Sequence, residues 1–156
     1  MFFLFLFTLF TLPFIVLSHT QYRFAIILSE SVNAHIALIK MGTTYHKDDY
    51  MVFCWRGIDP NQQSVLKQGM RLIKRVGCIA GENLQVSSTE VTCGDEILGL
   101  VRHKNIEGEL LKAALYKGVI PEGYAFMIGD NYASYDSRYL GLIDTKDFIA
   151  RVVFML

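Results

Sequence analysis

Short apolar runs separated by turn formers are the feature that most limits how this chain can fold. The runs Phe24–Leu28, His35–Lys40 and Tyr50–Trp55 are rich in β-branched and aromatic residues and have the length of strands. Glycine, asparagine and aspartate lie between them and predict turns. The runs Tyr124–Ile128 and Ile149–Leu156 repeat the pattern. The sequence therefore predicts a mostly β fold of short antiparallel strands.

The order of the runs predicts which strands are neighbours. His35–Lys40 and Tyr50–Trp55 are separated by one polar loop, which predicts an antiparallel hairpin. A second hairpin is predicted in residues 87–100, around Gly94 and Asp95. Glu107–Tyr116 has apolar residues at helical spacing but is short, so helix and strand both remain open for it.

Residues 1–20 differ in composition from the rest of the chain. Phe2–Leu17 contains no charged residue and would span about 24 Å as a helix, against about 30 Å of hydrocarbon in a bilayer. No Lys or Arg directly follows Met1, and no small-x-small cleavage site follows Leu17. We predict a transmembrane anchor or signal segment over residues 1–20, retained rather than cleaved, and a separate domain over residues 22–156.

The overall charge excludes one class of partner. The chain has 15 Lys and Arg against 15 Asp and Glu, so its formal net charge is zero. It also lacks the basic run that nucleic-acid binding requires. We therefore expect no nucleic-acid partner, whereas the apolar N-terminus predicts contact with a lipid bilayer.

Cysteine and histidine give few options for catalysis. Cys54, Cys78 and Cys93 are an odd set without CxxC spacing, which argues against a zinc site. A Cys78–Cys93 disulfide and three buried thiols are both compatible with the sequence. The four histidines lie in no H-E-x-x-H pair and in no recognisable triad context.

A serine with a lysine base is the remaining route to nucleophilic catalysis. Such a lysine must be neutral near the working pH, and burial can lower its pKa enough to make it so. Lys74 lies in the run Leu72–Val76, where alternation can direct it to the core and Arg75 away from it. Periodicity alone favours the opposite interpretation, an exposed lysine on an edge strand.

Three stretches occur in an order that resembles a known family: SESV at 29–32, LIKRVGCIAGENL at 72–84 and PEGYAFMIGDNYASYDSRYLG at 121–141. They resemble the nucleophile, lysine and last boxes of the type I signal peptidase family (S26, Ser/Lys dyad). The resemblance is greatest to the short conjugative-transfer signal peptidases of the TraF type and covers most of residues 26–154. It implies a signal-peptidase-like catalytic β domain over residues 22–156, an N-terminal membrane anchor helix and no cofactor.

The resemblance also implies roles for individual residues. Ser31 stands at the position of the nucleophile and Lys74 at that of the general base. Ser29 matches a residue whose hydroxyl helps to bind the oxyanion, and Ser134 matches the serine that orients the lysine. Four further residues match the loop that braces the site: Asp136, Arg138, Asp130 and Asn131.

The implied protein is a membrane-anchored serine endopeptidase that removes signal or leader segments from exported precursors. The expected substrate is a membrane-tethered precursor such as a propilin or another conjugative transfer protein. The expected location is the bacterial inner membrane, with the catalytic domain facing the periplasm. The span from Gly81 to Pro121 is too short for the large inserted β subdomain of many housekeeping enzymes, which favours the transfer type.

Two other functions remain open. A pilin-cyclising transpeptidase would use the same chemistry with a peptide amine in place of water. A non-catalytic component of a transfer or secretion assembly is suggested by departures from the family pattern at Asn33, His35, Ala80 and Glu82. A self-cleaving repressor with a Ser/Lys dyad fits less well, because the chain has an apolar segment where a DNA-binding domain would stand.

Overall fold

The computed structural model of the protein describes residues 20–62 and 66–156. Short strands make up most of its regular structure, in agreement with the apolar runs. The strands are β1 (Tyr22–Ile26), β2 (Ile36–Met41), β3 (Tyr50–Cys54), β4 (Arg71–Ile79), β5 (Asn83–Val86), β6 (Glu90–Cys93), β7 (Glu96–Leu100), β8 (Tyr116–Val119), β9 (Tyr124–Ile128), β10 (Ile143–Asp144) and β11 (Phe148–Met155). A one-turn helix, Ser137–Leu140, and a 3-10 turn, Thr145–Asp147, precede and follow β10.

The strands form two antiparallel sheets. The larger has seven strands in the order β1-β2-β11-β3-β4-β9-β10 and is curled. The smaller has four, in the order β7-β6-β5-β8. This confirms the predicted mostly β fold. The hairpin predicted in residues 87–100 is also confirmed, since β6 and β7 pair on either side of Gly94 and Asp95.

One expectation needs correction, and one open alternative is decided. The hairpin predicted from His35–Lys40 and Tyr50–Trp55 is wrong, because β11 lies between β2 and β3 and pairs with both. Apolar runs specify strands but not which distant strand inserts between two of them. Glu107–Tyr116 contains no helix: Gly108 adopts a left-handed φ of 87°, and Lys104 forms an isolated bridge with Leu110.

The core lies on both faces of the central strands. Along β3, Met51 and Phe53 contribute to one apolar cluster, whereas Val52 contributes to another on the opposite face. A third cluster packs the smaller sheet against β4 and β9. A disulfide joins Cys78 of β4 to Cys93 of β6 and so links the two sheets covalently. The strands around residue 74 are therefore held from both sides.

The segment predicted as a membrane anchor lies, apart from its last residue, outside the described residues. Within residues 20–62 and 66–156, no helix has the length and apolar character to cross a bilayer.

Candidate active site

Lys74 lies near the middle of β4, between β3 and β9. It is 3% exposed, so the exposed edge-strand interpretation of this lysine is wrong. Its Nζ donates a hydrogen bond of 2.7 Å to Oγ of Ser134. Burial lowers the pKa of Lys74 to about 8, with smaller and partly opposing effects from Asp136 and Arg138. A large fraction of Lys74 is therefore neutral in mildly alkaline solution.

A buried ion pair supports the loop that carries Ser134. Arg138 donates to both carboxylate oxygens of Asp136, over 2.9 Å from Nε and 2.7 Å from Nη2. Both side chains are almost completely buried, at 2% and 0% exposure. Asp136 also caps the one-turn helix by accepting from the Arg138 backbone N–H, and it accepts from the N–H of Gly129 over 2.8 Å. Arg138 Nη2 donates to the carbonyl of Ser134, which ties the loop to the pair.

Gly129 is where the loops of the candidate nucleophile and of Ser134 meet. A Cβ at this position would lie 2.2 Å from Oγ of Ser134 and 2.9 Å from the carbonyl oxygen of Ser31. The Ser31 carbonyl also accepts from the backbone N–H of Asp130 over 2.9 Å. The Ser31 backbone and the Ser134 side chain thus both lie next to Gly129. Because Lys74 donates to the Ser134 hydroxyl, Ser31 also lies in the neighbourhood of Lys74.

Ser31 is held on a short loop between β1 and β2. Its neighbours Val32 and Ala34 are buried in the cluster behind it, and the backbone N–H of Ile27 donates to the carbonyl of His35, which closes the loop. Ser31 is half-buried, whereas Ser29 is exposed. The loop is thus anchored by apolar residues on one side and leaves Ser29 and Ser31 towards the surface.

The remaining loop residues lie close by with different contacts. The Asp130 carboxylate accepts a hydrogen bond of 2.7 Å from the Tyr50 hydroxyl and lies 3.5 Å from Nε of Arg75. The backbone N–H of Asn131 points to the Ser31 carbonyl over 3.4 Å, and its side-chain oxygen accepts from the N–H of Ala133. The structure therefore gathers the sequence-predicted residues around one loop, with Ser29 at its exposed rim.

Some supporting residues were not found from the sequence. Gly129 is one of them, and its missing side chain makes room for Ser31 and Ser134. Ser137, buried at 1% exposure, accepts a hydrogen bond from the N–H of Met127 and fixes the start of the one-turn helix. Its position directly after a capping aspartate was the available signal.

Two grooves border the Ser31 loop. The larger, about 730 Å³, lies inside the curled sheet and is lined by Lys74, Ser29 and apolar residues that include Ile39, Val52 and Ile73. The other, about 630 Å³, adjoins it along Ile27, Leu28 and Ser29 and includes Glu30, Asn33, His35 and Asp130. An extended peptide crossing the loop could occupy both.

The sequence matches the family of signal peptidase, peptidase S26, over residues 1–156. No curated protein matches the chain. Among solved structures it is similar to a signal peptidase I from Enterococcus faecalis, with 22% identity over 72% of this chain and 97% of that chain and a TM-score of 0.42. Because the family match extends over the whole sequence, the chain belongs to the signal peptidase family S26. It is a serine protease that cleaves signal peptides from precursor proteins translocated across a membrane.

Proposed function

We propose that Ser31 is the nucleophile of this peptidase and Lys74 its general base. The observation that carries the proposal is the buried Lys74 ammonium, whose pKa is lowered to about 8 and whose Nζ lies 2.7 Å from the Ser134 hydroxyl. An ordinary exposed lysine is protonated at neutral pH and cannot accept a proton from serine. Burial makes the neutral amine abundant near pH 8, and the hydrogen bond to Ser134 fixes the direction of the amine.

The reaction follows from these roles. Neutral Lys74 accepts the proton of Ser31 Oγ while this oxygen attacks the carbonyl carbon of the scissile bond. The negative charge that develops on the carbonyl oxygen is stabilised by the backbone N–H of Ser31 and the hydroxyl of Ser29. The Lys74 ammonium then returns the proton to the leaving amine as the C–N bond breaks. Water, activated by the same lysine, hydrolyses the acyl-enzyme.

The groove inside the curled sheet fits the segment that precedes the scissile bond. Its walls are largely apolar, and β1 forms one edge of the seven-stranded sheet. A substrate can pair with an edge strand through main-chain hydrogen bonds while alternate side chains enter shallow pockets. Apolar walls suit the end of a signal segment, which is itself apolar.

The finer assignment is a transfer-type enzyme that processes a propilin-like precursor at the bacterial inner membrane. The peptidase domain, residues 22–156, then faces the periplasm, and residues 1–20 anchor it. The short connection between Gly81 and Pro121 supports the transfer type, and the Cys78–Cys93 disulfide supports an oxidising compartment. Anchoring both enzyme and precursor to one bilayer would raise the effective concentration of the cleavage site.

Separate Ser31→Ala and Lys74→Ala variants test the dyad on a precursor substrate. We expect each to lose cleavage by at least about a thousandfold, because either change removes the nucleophile or its activation. Ser88→Ala and Lys117→Ala change exposed residues of the smaller sheet region and are the matched controls. Retained cleavage by a folded Ser31→Ala or Lys74→Ala variant would refute the assignment.

The mass of the processed product separates hydrolysis from cyclisation. A linear product contains the added water, whereas a peptide whose own amine resolves the acyl-enzyme is lighter by one water. A precursor with a blocked N-terminus can give only the linear mass and serves as the reference. We expect the same linear mass from a precursor with a free N-terminus. A cyclic mass from that precursor would identify the transpeptidase.

A further inference from the structure

The two grooves beside Ser31 carry opposite charge. Apart from the proposed base Lys74, the charged residues that line the apolar groove within the described part of the chain are two arginines, Arg23 and Arg71. The charged residues that line the adjoining groove are both acidic, Glu30 and Asp130. A peptide that crosses Ser31 would therefore pass from a positive to a negative surface.

Within the described part of the chain, one charged side chain in each groove makes no hydrogen bond or ion pair with another residue. Asp130 is bound by Tyr50 and Arg75, and Arg23 donates to backbone carbonyls of Thr20 and Tyr22. By contrast, Glu30 and Arg71 form no ion pair within residues 20–62 and 66–156, and both are exposed. These two residues are thus available to a substrate.

The direction of the substrate follows from the apolar character of a signal segment. Such a segment precedes the scissile bond and fits the apolar groove, and the groove of Glu30, which shares Ile27, Leu28 and Ser29 with it, is the adjoining surface for the chain that follows the bond. We propose that Glu30 and Arg71 are specificity-determining residues of this peptidase. Glu30 favours a positively charged residue just after the cleavage site, and Arg71 favours a neutral or acidic one before it. The proposal rests on Ser31 being the nucleophile.

The expected effect is moderate, because both charges are exposed and screened by solvent. Each favourable contact should change kcat/KM by about two- to fivefold, and added salt should weaken it. The change should appear mainly in KM, since a rim charge contributes equally to the ground state and the transition state.

The test uses internally quenched peptides that are identical except for Lys, Gln or Glu at the first positions after the cleavage site. For the full-length protein in detergent at low salt, we expect kcat/KM to fall in the order Lys, Gln, Glu, with the differences reduced at high salt. Glu30→Gln should flatten this order and Glu30→Lys should reverse it. Glu90→Gln, an exposed change on β6, should leave it unchanged. A second set of peptides carries Asp or Lys before the cleavage site and tests Arg71. The wild type should prefer Asp to Lys in this set, and Arg71→Gln should reduce that preference.

The results separate this proposal from that of the dyad. If the wild type cleaves all three peptides equally at low salt, or if Glu30→Gln keeps the full preference, the charge proposal is overturned while the dyad stands. If Ser31→Ala cleaves as well as the wild type, both proposals fail, because the grooves then do not flank the reacting serine.

Discussion

Replacing Lys74 by methionine removes a charge that folding carries into the protein interior. Lys74 is 3% exposed, and burial lowers its pKa from 10.5 to about 8. At about 1.4 kcal/mol for each pKa unit, this change corresponds to about 3 kcal/mol of stability. Because the unfolded chain keeps the higher pKa, it binds the proton more tightly than the native state does. The cost is complete below pH 8 and disappears as the pH rises towards 10.5.

Urea unfolding of the wild type and of Lys74→Met across this pH range measures the effect. Below pH 8 the free energy of unfolding of the variant should exceed that of the wild type by its largest margin, which should shrink by about 3 kcal/mol towards pH 10.5. Comparing the two proteins at each pH cancels the titration of other groups. The variant also leaves the Ser134 hydroxyl without its partner, at about 1 kcal/mol. That loss does not vary with pH, so the change in the margin is the quantity of interest.

Lys117→Met is the control, since Lys117 is exposed on β8. It should show no comparable pH-dependent margin. A constant margin between wild type and Lys74→Met would refute the reasoning, because Lys74 would then ionise as in the unfolded chain. The activity of the wild type should follow the same titration: kcat/KM should rise with pH through an apparent pKa near 8, where Lys74 becomes neutral.

Three further changes test the frame of the site. Asp136→Asn leaves the buried Arg138 without its anion, and we expect about 3 kcal/mol lower stability in urea unfolding together with lost turnover; normal stability and activity would show that the loop is only a hairpin. Reducing the Cys78–Cys93 bond should lower stability by about 3 kcal/mol, and an unchanged urea midpoint would contradict this. Gly129→Ala should lower kcat/KM by about a hundredfold, because its Cβ would displace Ser134 or Ser31, whereas Gly99→Ala, with only ordinary contacts, should be near wild type.

The strands could be predicted from the sequence because their apolar and aromatic residues are local signals. The predicted bounds of Tyr124–Ile128 are those of β9. The predicted run Ile149–Leu156 begins and ends one residue later than β11. The position of β11 between β2 and β3 could not be predicted, since it depends on two pairings between segments that lie far apart in the sequence, such as Ala150 with Met41 and Phe148 with Phe53. Helical spacing in Glu107–Tyr116 was overridden by Gly108 and by the burial of Leu111 against the smaller sheet.

The burial of Lys74 shows the same limit at the site. Its neighbours Leu72 and Ile73 are both apolar, so the sequence does not specify which face of β4 is buried. Both faces are covered, because β4 lies inside the larger sheet and carries the smaller sheet at its far end. Lys74 is therefore buried because of the position of β4 within the larger sheet. The alternation of residues along one strand carries no information about that position.

The departures from the family pattern divide into two kinds once they are placed in the structure. Glu82 lies in the turn after β4, where its carboxylate accepts from the backbone N–H of Ile79 and pairs with Lys47, away from the Lys74–Ser134 contact. Asn33 and His35 instead line the acidic groove beside the Ser31 loop. The turn residue thus stabilises the fold, and the other two alter the surface that a substrate meets. Neither kind removes a group that the proposed chemistry needs, so the departures point to a change of substrate and not to a loss of catalysis.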